Sequence, residues 1–235
     1  MISYITPTLW QRPEFILEAE RSLVNQTYKD IEWIVVSPKP QTIQLSGGVN
    51  TKIIIDCNLK NVAQARNLGI QHSSGDLLAF LDDDDIKYLT FGEEMKNAIN
   101  PSYIGSVSSM MTINEKSEII GNHLYCPNTF ENVWNSACLY FANEILIRKD
   151  IFYEIGMFDE NMFTSEDYEF YVRVFKRGEL HNLVDKFLSG YRKHSGNLSG
   201  NEEIRGEPTH KSIHYMFQKH GIGFYCNRCD KDTRK

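Results

Sequence analysis

A chain of 235 residues, 41% hydrophobic and 24% charged, is long enough to bury a substantial core as one large domain. Its net charge of −6 argues against a nucleic-acid binder, which normally carries a basic stripe. No apolar run approaches the roughly 18 residues that span a bilayer. Met1-Ile2-Ser3-Tyr4 opens without a basic leader, so a cytoplasmic location is the default expectation.

The first half alternates strand and helix signals. Ile2 to Ile5 reads as a short strand ended by Pro7, and Pro13 suits a first helical position ahead of the Phe15, Ile16, Ala19, Leu23 stripe. Ile31 to Val36 is the next strand, followed by a polar stretch containing Pro and Gly over 37–50, and Ile53-Ile54-Ile55 is a third. Asn61 can cap a helix carrying Val62, Ala65 and Leu68, which closes near Ser73-Ser74-Gly75. Gly75-Asp76 then opens the apolar run Leu77 to Leu81, which suits a strand buried on both faces of a parallel sheet. Strands joined by helical crossovers imply a layered α/β fold.

The second half is less regular. Residues 103–121 predict a β-hairpin turning at Asn114-Glu115-Lys116-Ser117, and the apolar stretch 136–147 can pair in the same sheet. Tyr168, Tyr171, Val172 and Phe175 define a helix over 164–178, capped by Thr164 or Ser165 and stopped by Gly178. A strand at 180–188 precedes Tyr191-Arg192-Lys193-His194, and a helix near 209–219 precedes a basic end. Cys57, Cys126 and Cys138 read as small core residues. Cys226-Asn227-Arg228-Cys229 would need further ligands, such as His214 or His220, to hold zinc; a plain tail is the simpler reading.

Chemistry concentrates where the buried strand meets Asp82-Asp83-Asp84-Asp85. Open α/β sheets place their ligand crevice at such strand ends. Four adjacent carboxylates are costly unless they share a cation, and Mg²⁺ or Mn²⁺ suits oxygen ligands. A solvated acidic turn is the plain alternative. Glu166-Asp167 opens the amphipathic helix, where acidic residues also favour the helix dipole. Thr164-x-x-Asp167 fits a loose capping box. In the functional reading it is a general base whose pKa is raised by Phe163, Tyr168 and Phe170. Arg66 is either a solvated helix residue or a fork that holds a phosphate or orients the aspartates. His194 is either structural or a ligand completing a metal shell.

The order of these motifs resembles an inverting family 2 glycosyltransferase with the GT-A fold, over about residues 2–198. Ile5-Thr6-Pro7-Thr8 with Arg12-Pro13-Glu14 is similar to that family's opening strand and nucleotide-binding loop. Ser22 to Tyr28, Glu32 to Val36, and Ala65-Arg66-Asn67-x-Gly69-Ile70 resemble its next segments. Gly75-Asp76 through Asp85 resembles its Asp-x-Asp metal motif. Gly156 to Glu160 with Glu166-Asp167 is similar to the acceptor-side segment, and Tyr191-Arg192-x-His194 with Asn197-x-Ser199 to the closing signature.

The resemblance implies a Rossmann-like, mostly parallel nucleotide-binding sheet flanked by helices, with an α+β acceptor-side half. Residues 1–100 and 101–198 would be the two halves of a domain spanning 1–198, with 199–235 a helical extension and tail. Pro7 and Thr8 would lie against the donor nucleoside, with Arg66 also on the nucleotide side. Asp82 and Asp83 would contact the ribose or metal-bound water. Asp84 would coordinate Mn²⁺ or Mg²⁺, with His194 near the metal or diphosphate. Asp167 would be the catalytic base, supported by Glu166. The family often places an aspartate after the second strand to pair with uracil; here Val36 runs into Ser37-Pro38-Lys39-Pro40. UDP therefore leads among donor nucleotides without that contact to specify it.

The implied activity is metal-dependent, hexosyltransferase-like transfer from a nucleotide-sugar to a glycan or lipid-linked acceptor in polysaccharide or glycoconjugate synthesis. Peripheral association with a cytoplasmic membrane face would rest on Lys231, Arg234 and Lys235, a weak anchor. Trp134, Tyr140, Phe163 and Tyr168 can stack on acceptor sugars or fill core. Oligomeric state is not specified. A sugar-1-phosphate nucleotidyltransferase should carry a glycine-rich loop, which Thr6-Pro7-Thr8-Leu9-Trp10 lacks. A metal-dependent glycosidase would flank its bond with two carboxylates. A non-catalytic nucleotide-sugar or carbohydrate-binding module would bind indifferently to Asp84→Ala.

Overall fold

The structure is a computed structural model describing residues 1–123, 142–178, 180–197, 207–221, 225–226 and 231–232. In chain order its main elements are β1 (Ile2–Pro7), α1 (Pro13–Val24), β2 (Ile31–Ser37), β3 (Asn50–Ile55), α2 (Val62–His72), β4 (Leu77–Phe80) and β5 (Ile86–Lys87). There follow α3 (Phe91–Ala98), β6 (Gly105–Ile113), β7 (Ile119–His123), β8 (Ile145–Arg148), α4 (Lys149–Ile155), α5 (Glu166–Arg177), β9 (Leu180–Arg192) and α6 (Glu207–Lys219). A short ribbon pairs Tyr225–Cys226 with Lys231–Asp232.

Among the described residues one sheet runs β3-β2-β1-β4-β8-β6-β9-β5, with β7 hanging on β6. Its first four strands are parallel, as the alternating strand and helix signals predict. Beyond them the sheet is mixed: β8 runs antiparallel to both β4 and β6, while β9 is parallel to β6. The acidic strand therefore has a parallel neighbour on one side only. Residues 145–147 of the expected apolar stretch do join the sheet, and the predicted hairpin is β6–β7. Trp134, Tyr140, Cys126, Cys138 and Cys229 lie outside the described residues.

The period-2 alternation of the strands divides the core between two faces. Ile5, Ile34, Val36, Leu78 and Phe80 pack on one side with α2, α4 and α5. Tyr4, Trp33, Val35, Ala79 and Leu81 pack on the other with α1 and α3. α2 lies close on β1 because Gly69 has no side chain there; a Cβ would come within 2.5 Å of Ile5. Asn61 caps α2 as expected, its Oδ1 accepting the Gln64 N–H at 2.9 Å.

Helix α5 starts differently from the sequence reading. Ser165 occupies its N-cap position at φ 60 and makes no side-chain cap bond. Thr164 Oγ1 instead bonds Thr209 Oγ1 on α6 at 3.2 Å. The Thr164-x-x-Asp167 capping box is therefore not formed, because tertiary contacts to α6 take the hydroxyl that would have capped. α6 is held firmly: Met216 is in the core, and Lys219 reaches Asp159 at 2.6 Å and Glu169 at 2.9 Å. His220 Nε2 contacts Glu169 at 3.0 Å, so that ring serves the α5–α6 contact.

Candidate active site

The acidic residues following β4 form a turn. The Asp85 N–H donates to the Asp82 carbonyl at 3.1 Å, making Asp83 and Asp84 the two central residues of a four-residue turn. Each carboxylate has its own partner. Arg66 Nη2 donates to Asp82 Oδ1 at 2.9 Å, and Thr8 Oγ1 to Asp83 Oδ2 at 2.6 Å. His194 Nε2 lies 2.8 Å from Asp84 Oδ2, and Asp85 Oδ1 accepts the Arg192 N–H at 2.7 Å.

Two strand ends and helix α2 supply these partners. Thr8 follows β1, its N–H bonded to Val36 O at 2.9 Å, and its hydroxyl also accepts the Trp10 N–H at 3.0 Å. Pro7 ends β1 beside it. Trp10 sits at φ 58, an uncommon left-handed conformation for a bulky residue, and its Nε1 donates to Lys39 O at 3.2 Å. On the far side, Arg192 at the end of β9 is fully buried. Its Nε donates to Asp84 O at 2.7 Å, Nη1 donates to Ser117 Oγ at 2.9 Å, and Nη2 donates to Glu18. Phe15 contacts the guanidinium at 4.5 Å and the His194 ring at 5.4 Å. The closing signature thus packs directly on the acidic turn.

Arg66 connects this turn to α5. Its Nη1 donates to Glu166 while Nη2 holds Asp82. The guanidinium lies 5.8 Å from the Phe80 ring and 5.6 Å from Phe158. Phe158 and Phe170 are 4.8 Å apart, and Phe170 stacks on Phe152 at 4.6 Å. This aromatic layer packs α5 against β4, and one arginine joins Glu166, the residue before Asp167, to the acidic turn. Arg66 is therefore buried rather than solvated, and its fork is paired with Asp82 and Glu166.

The electrostatics follow from crowding charge in a dry place. Burial pushes Asp83 up to about 6 against the Thr8 hydrogen bond, with repulsion from Asp84 and Asp82 adding to it. Burial and the Asp82 charge also raise Asp84, although His194 opposes them, and Asp85 is raised by burial and Asp84. Burial lifts Glu166 to about 7 despite Arg66. Asp167, half-buried, is likewise raised by burial, with Arg66 and the Tyr168 N–H pulling it down. Tyr168 and Phe170 are buried around it as expected; Phe163 instead faces solvent at 60% exposure.

Sequence reasoning missed Asn143 and Lys87. Both are buried, and Lys87 Nζ donates to the Asn143 carbonyl beneath the turn. Burial pushes this lysine down to about 7 against the pull of Asp85 and Glu144. Asn143-Glu144 was visible as the one polar break in an apolar run from Ala137 to Ile147.

Among the described residues no group of three His, Cys, Asp or Glu side chains is arranged to hold a metal ion. Asp84 and His194 still present one oxygen and one nitrogen donor side by side. The carboxylate is the donor that suits Mg²⁺ and Mn²⁺, and nucleotide-handling sites often bind such ions through only one or two protein carboxylates, with phosphate and water completing the shell. The donor set fits an ion held jointly with a diphosphate.

A family model described as glycosyltransferase like family 2 matches residues 14–216. An uncharacterized glycosyltransferase of Rickettsia conorii is 29% identical over 221 residues, covering 90% of this chain and 35% of that protein. One from Haemophilus influenzae is 25% identical over 241 residues, covering 94% and 73% respectively. Among solved structures, S. aureus TarS 1–349 in complex with UDP-GlcNAc gives a TM-score of 0.69 at 16% identity, over 93% of this chain and 66% of that one. A longer S. aureus TarS chain gives 0.67 at 14% identity, over 93% and 39%. This chain therefore spans little more than a third of the Rickettsia protein and of that TarS chain. The likeness to TarS establishes the shared GT-A-type α/β fold.

Proposed function

The chain belongs to the glycosyltransferase like family 2, and from that membership we propose that it moves a sugar from a nucleotide-diphosphate donor to an acceptor hydroxyl with inversion. One observation carries the reading: Arg66 joins Asp82, on the turn that would hold the donor, to Glu166, next to Asp167. Donor turn and candidate base thus flank a single side chain, as a direct displacement requires.

In this reading the nucleoside lies against Pro7 and Thr8, and Asp82 and Asp83 face its ribose or the water around the ion. Asp84 and His194 would hold Mn²⁺ or Mg²⁺, which neutralises charge developing on the departing diphosphate. Asp167 takes the proton from the acceptor hydroxyl. The acceptor oxygen forms its bond to the anomeric carbon as the carbon–oxygen bond to the diphosphate breaks, the electron pair leaving with the diphosphate. Attack from the opposite face inverts the centre, through an oxocarbenium-like transition state. Glu166 is committed to Arg66 and holds that frame, leaving Asp167 as the base. Its burial-raised pKa improves it for that task.

The likeness to a TarS chain crystallised with UDP-GlcNAc supports a UDP-sugar as donor. The acceptor would be a glycan or a lipid-linked glycan, the latter bringing the protein to a cytoplasmic membrane face. Among the described residues no helix is long and apolar enough to cross a membrane. A panel of nucleotide sugars with Mn²⁺ or Mg²⁺, read by thermal stabilisation and donor turnover, tests the proposal. A UDP-sugar should raise the melting temperature and be consumed in the presence of acceptor. Stabilisation without turnover against any acceptor would point instead to a binding module.

A further inference from the structure

Besides the partners of its individual carboxylates, the Asp82–Asp85 turn is bridged end to end by one side chain from elsewhere in the fold. Asn143 lies in a short 3-10 turn, Ala142–Glu144, directly ahead of β8. Its Oδ1 accepts the Asp82 N–H at 2.9 Å, and its Nδ2 donates to the Asp85 carboxylate. One amide therefore spans both ends of the turn whose centre is Asp83 and Asp84. The Asn143 carbonyl is itself fixed from below by Lys87 Nζ and by Ser189 Oγ at 3.2 Å. Lys87 also lies 4.1 Å from the Phe91 ring, which leaves it little freedom to move.

We infer that Asn143 is a positioning residue for the donor site, setting how the turn presents Asp83 and Asp84 to the nucleotide-sugar diphosphate. This rests on the donor reading given above. The chemistry requires an amide: only a side chain that accepts and donates from one planar group can satisfy an N–H and a carboxylate together. A carboxylate of the same shape would still accept from Asp82. It would also place a further negative charge against the Asp85 carboxylate that Nδ2 now donates to. An alanine would remove both of these bonds, leaving Asp82 to Arg66 and Asp85 to the Arg192 N–H. Groups that orient ligand-bearing side chains characteristically change affinity or activity about 10- to 100-fold when removed.

The test is calorimetric binding of UDP with Mn²⁺ to the full chain and to Asn143→Asp and Asn143→Ala, below the unfolding temperature of each. Donor and acceptor KM are measured alongside. Glu20→Gln is the control, because Glu20 is as buried as Asn143 and accepts from Ser46 and Gly47 rather than from the turn. Asn143→Asp should weaken UDP binding and raise donor KM by about 10- to 100-fold with acceptor KM unchanged. Glu20→Gln should lower the melting temperature and leave UDP affinity intact. If Asn143→Asp does not fold, the same shift is expected of Asn143→Ala. Binding within twofold of wild type in whichever variant folds would overturn the inference alone, as would a donor affinity that falls equally in Glu20→Gln. A wild-type protein that binds no UDP would overturn the donor reading and this inference with it.

Discussion

Arg66 and Asp82 lie 2.9 Å apart at the point where α2 meets the acidic turn, and the opposite nitrogen of the same guanidinium holds Glu166 at the start of α5. The two halves of the proposed site are thus tied by one buried cation. Removing it leaves Glu166 buried with its charge unpaired. Arg66→Met should therefore destabilise the fold by about 3–5 kcal/mol. Arg66→Lys should recover little, because an ammonium cannot fork to two carboxylates. Denaturant unfolding of both variants measures this; near-equal stability of Arg66→Lys and wild type would show that the fork is dispensable.

The aromatic layer beneath Arg66 makes a second prediction. Phe158 touches Phe80, Phe152 and Phe170 at centroid distances of 5.2, 6.0 and 4.8 Å. Phe158→Ala should cost about 3–5 kcal/mol, the usual scale for emptying a buried aromatic site. Phe158→Leu should cost less, since it keeps most of the volume. Thermal and urea unfolding should rank the two in that order.

The α5–α6 contact should respond to acid. Burial pushes the Asp159 carboxyl up, but hydrogen bonds from Lys219, the Asn161 N–H and Tyr215 overrule it and hold it at about 2. A carboxylate depressed in the folded state adds stability above its unfolded pKa of about 3.9 and loses it as pH falls toward the folded value. The Asp159–Lys219 contact should therefore be complete above about pH 4 and released between there and about pH 2. Carboxyl-carbon NMR titration checks it directly: Lys219→Ala should move the Asp159 midpoint upward. An unmoved midpoint would remove Lys219 as the cause.

Much of this architecture was legible in the sequence. The parallel strands, Asn61 as a cap, the hairpin at Asn114–Ser117 and the acidic strand end all follow from local patterns that tertiary packing did not override. Motif order placed His194 near the proposed metal and left Arg66 open to orienting the aspartates, but the particular pairs, His194 with Asp84 and Arg66 with Asp82, emerge only in the fold, because no local rule links residues 110 or 16 positions apart. What escaped was set by the tertiary structure. Helix α3, which the sequence reading passed over, follows the turn with Phe91 and Met95 buried, and β8 enters antiparallel to β4, an orientation that local pattern does not specify. Thr164 or Ser165 was expected to cap α5; neither side chain does, and the contact of Thr164 with Thr209 depends on a helix 45 residues away. Asn143 and Lys87 matter through burial and through partners distant in sequence, which neither residue announces.

The metal proposal carries its own check. Asp84→Asn should abolish the thermal stabilisation given by UDP with Mn²⁺, and His194→Ala should weaken it, while both proteins stay folded. Stabilisation that is identical with and without the ion in wild type would argue for a metal-independent site.

The central claim is that Asp167 is the base, and the most direct measurement is transfer by Asp167→Asn with its UDP affinity and pH–rate profile. Turnover should fall on the order of 10²- to 10⁴-fold with UDP affinity preserved. In wild type, activity should be lost on acidification at a pH above the ordinary aspartate value of about 3.9, because burial raises this group. An Asp167→Asn protein that binds UDP and still transfers sugar at the wild-type rate would contradict the account.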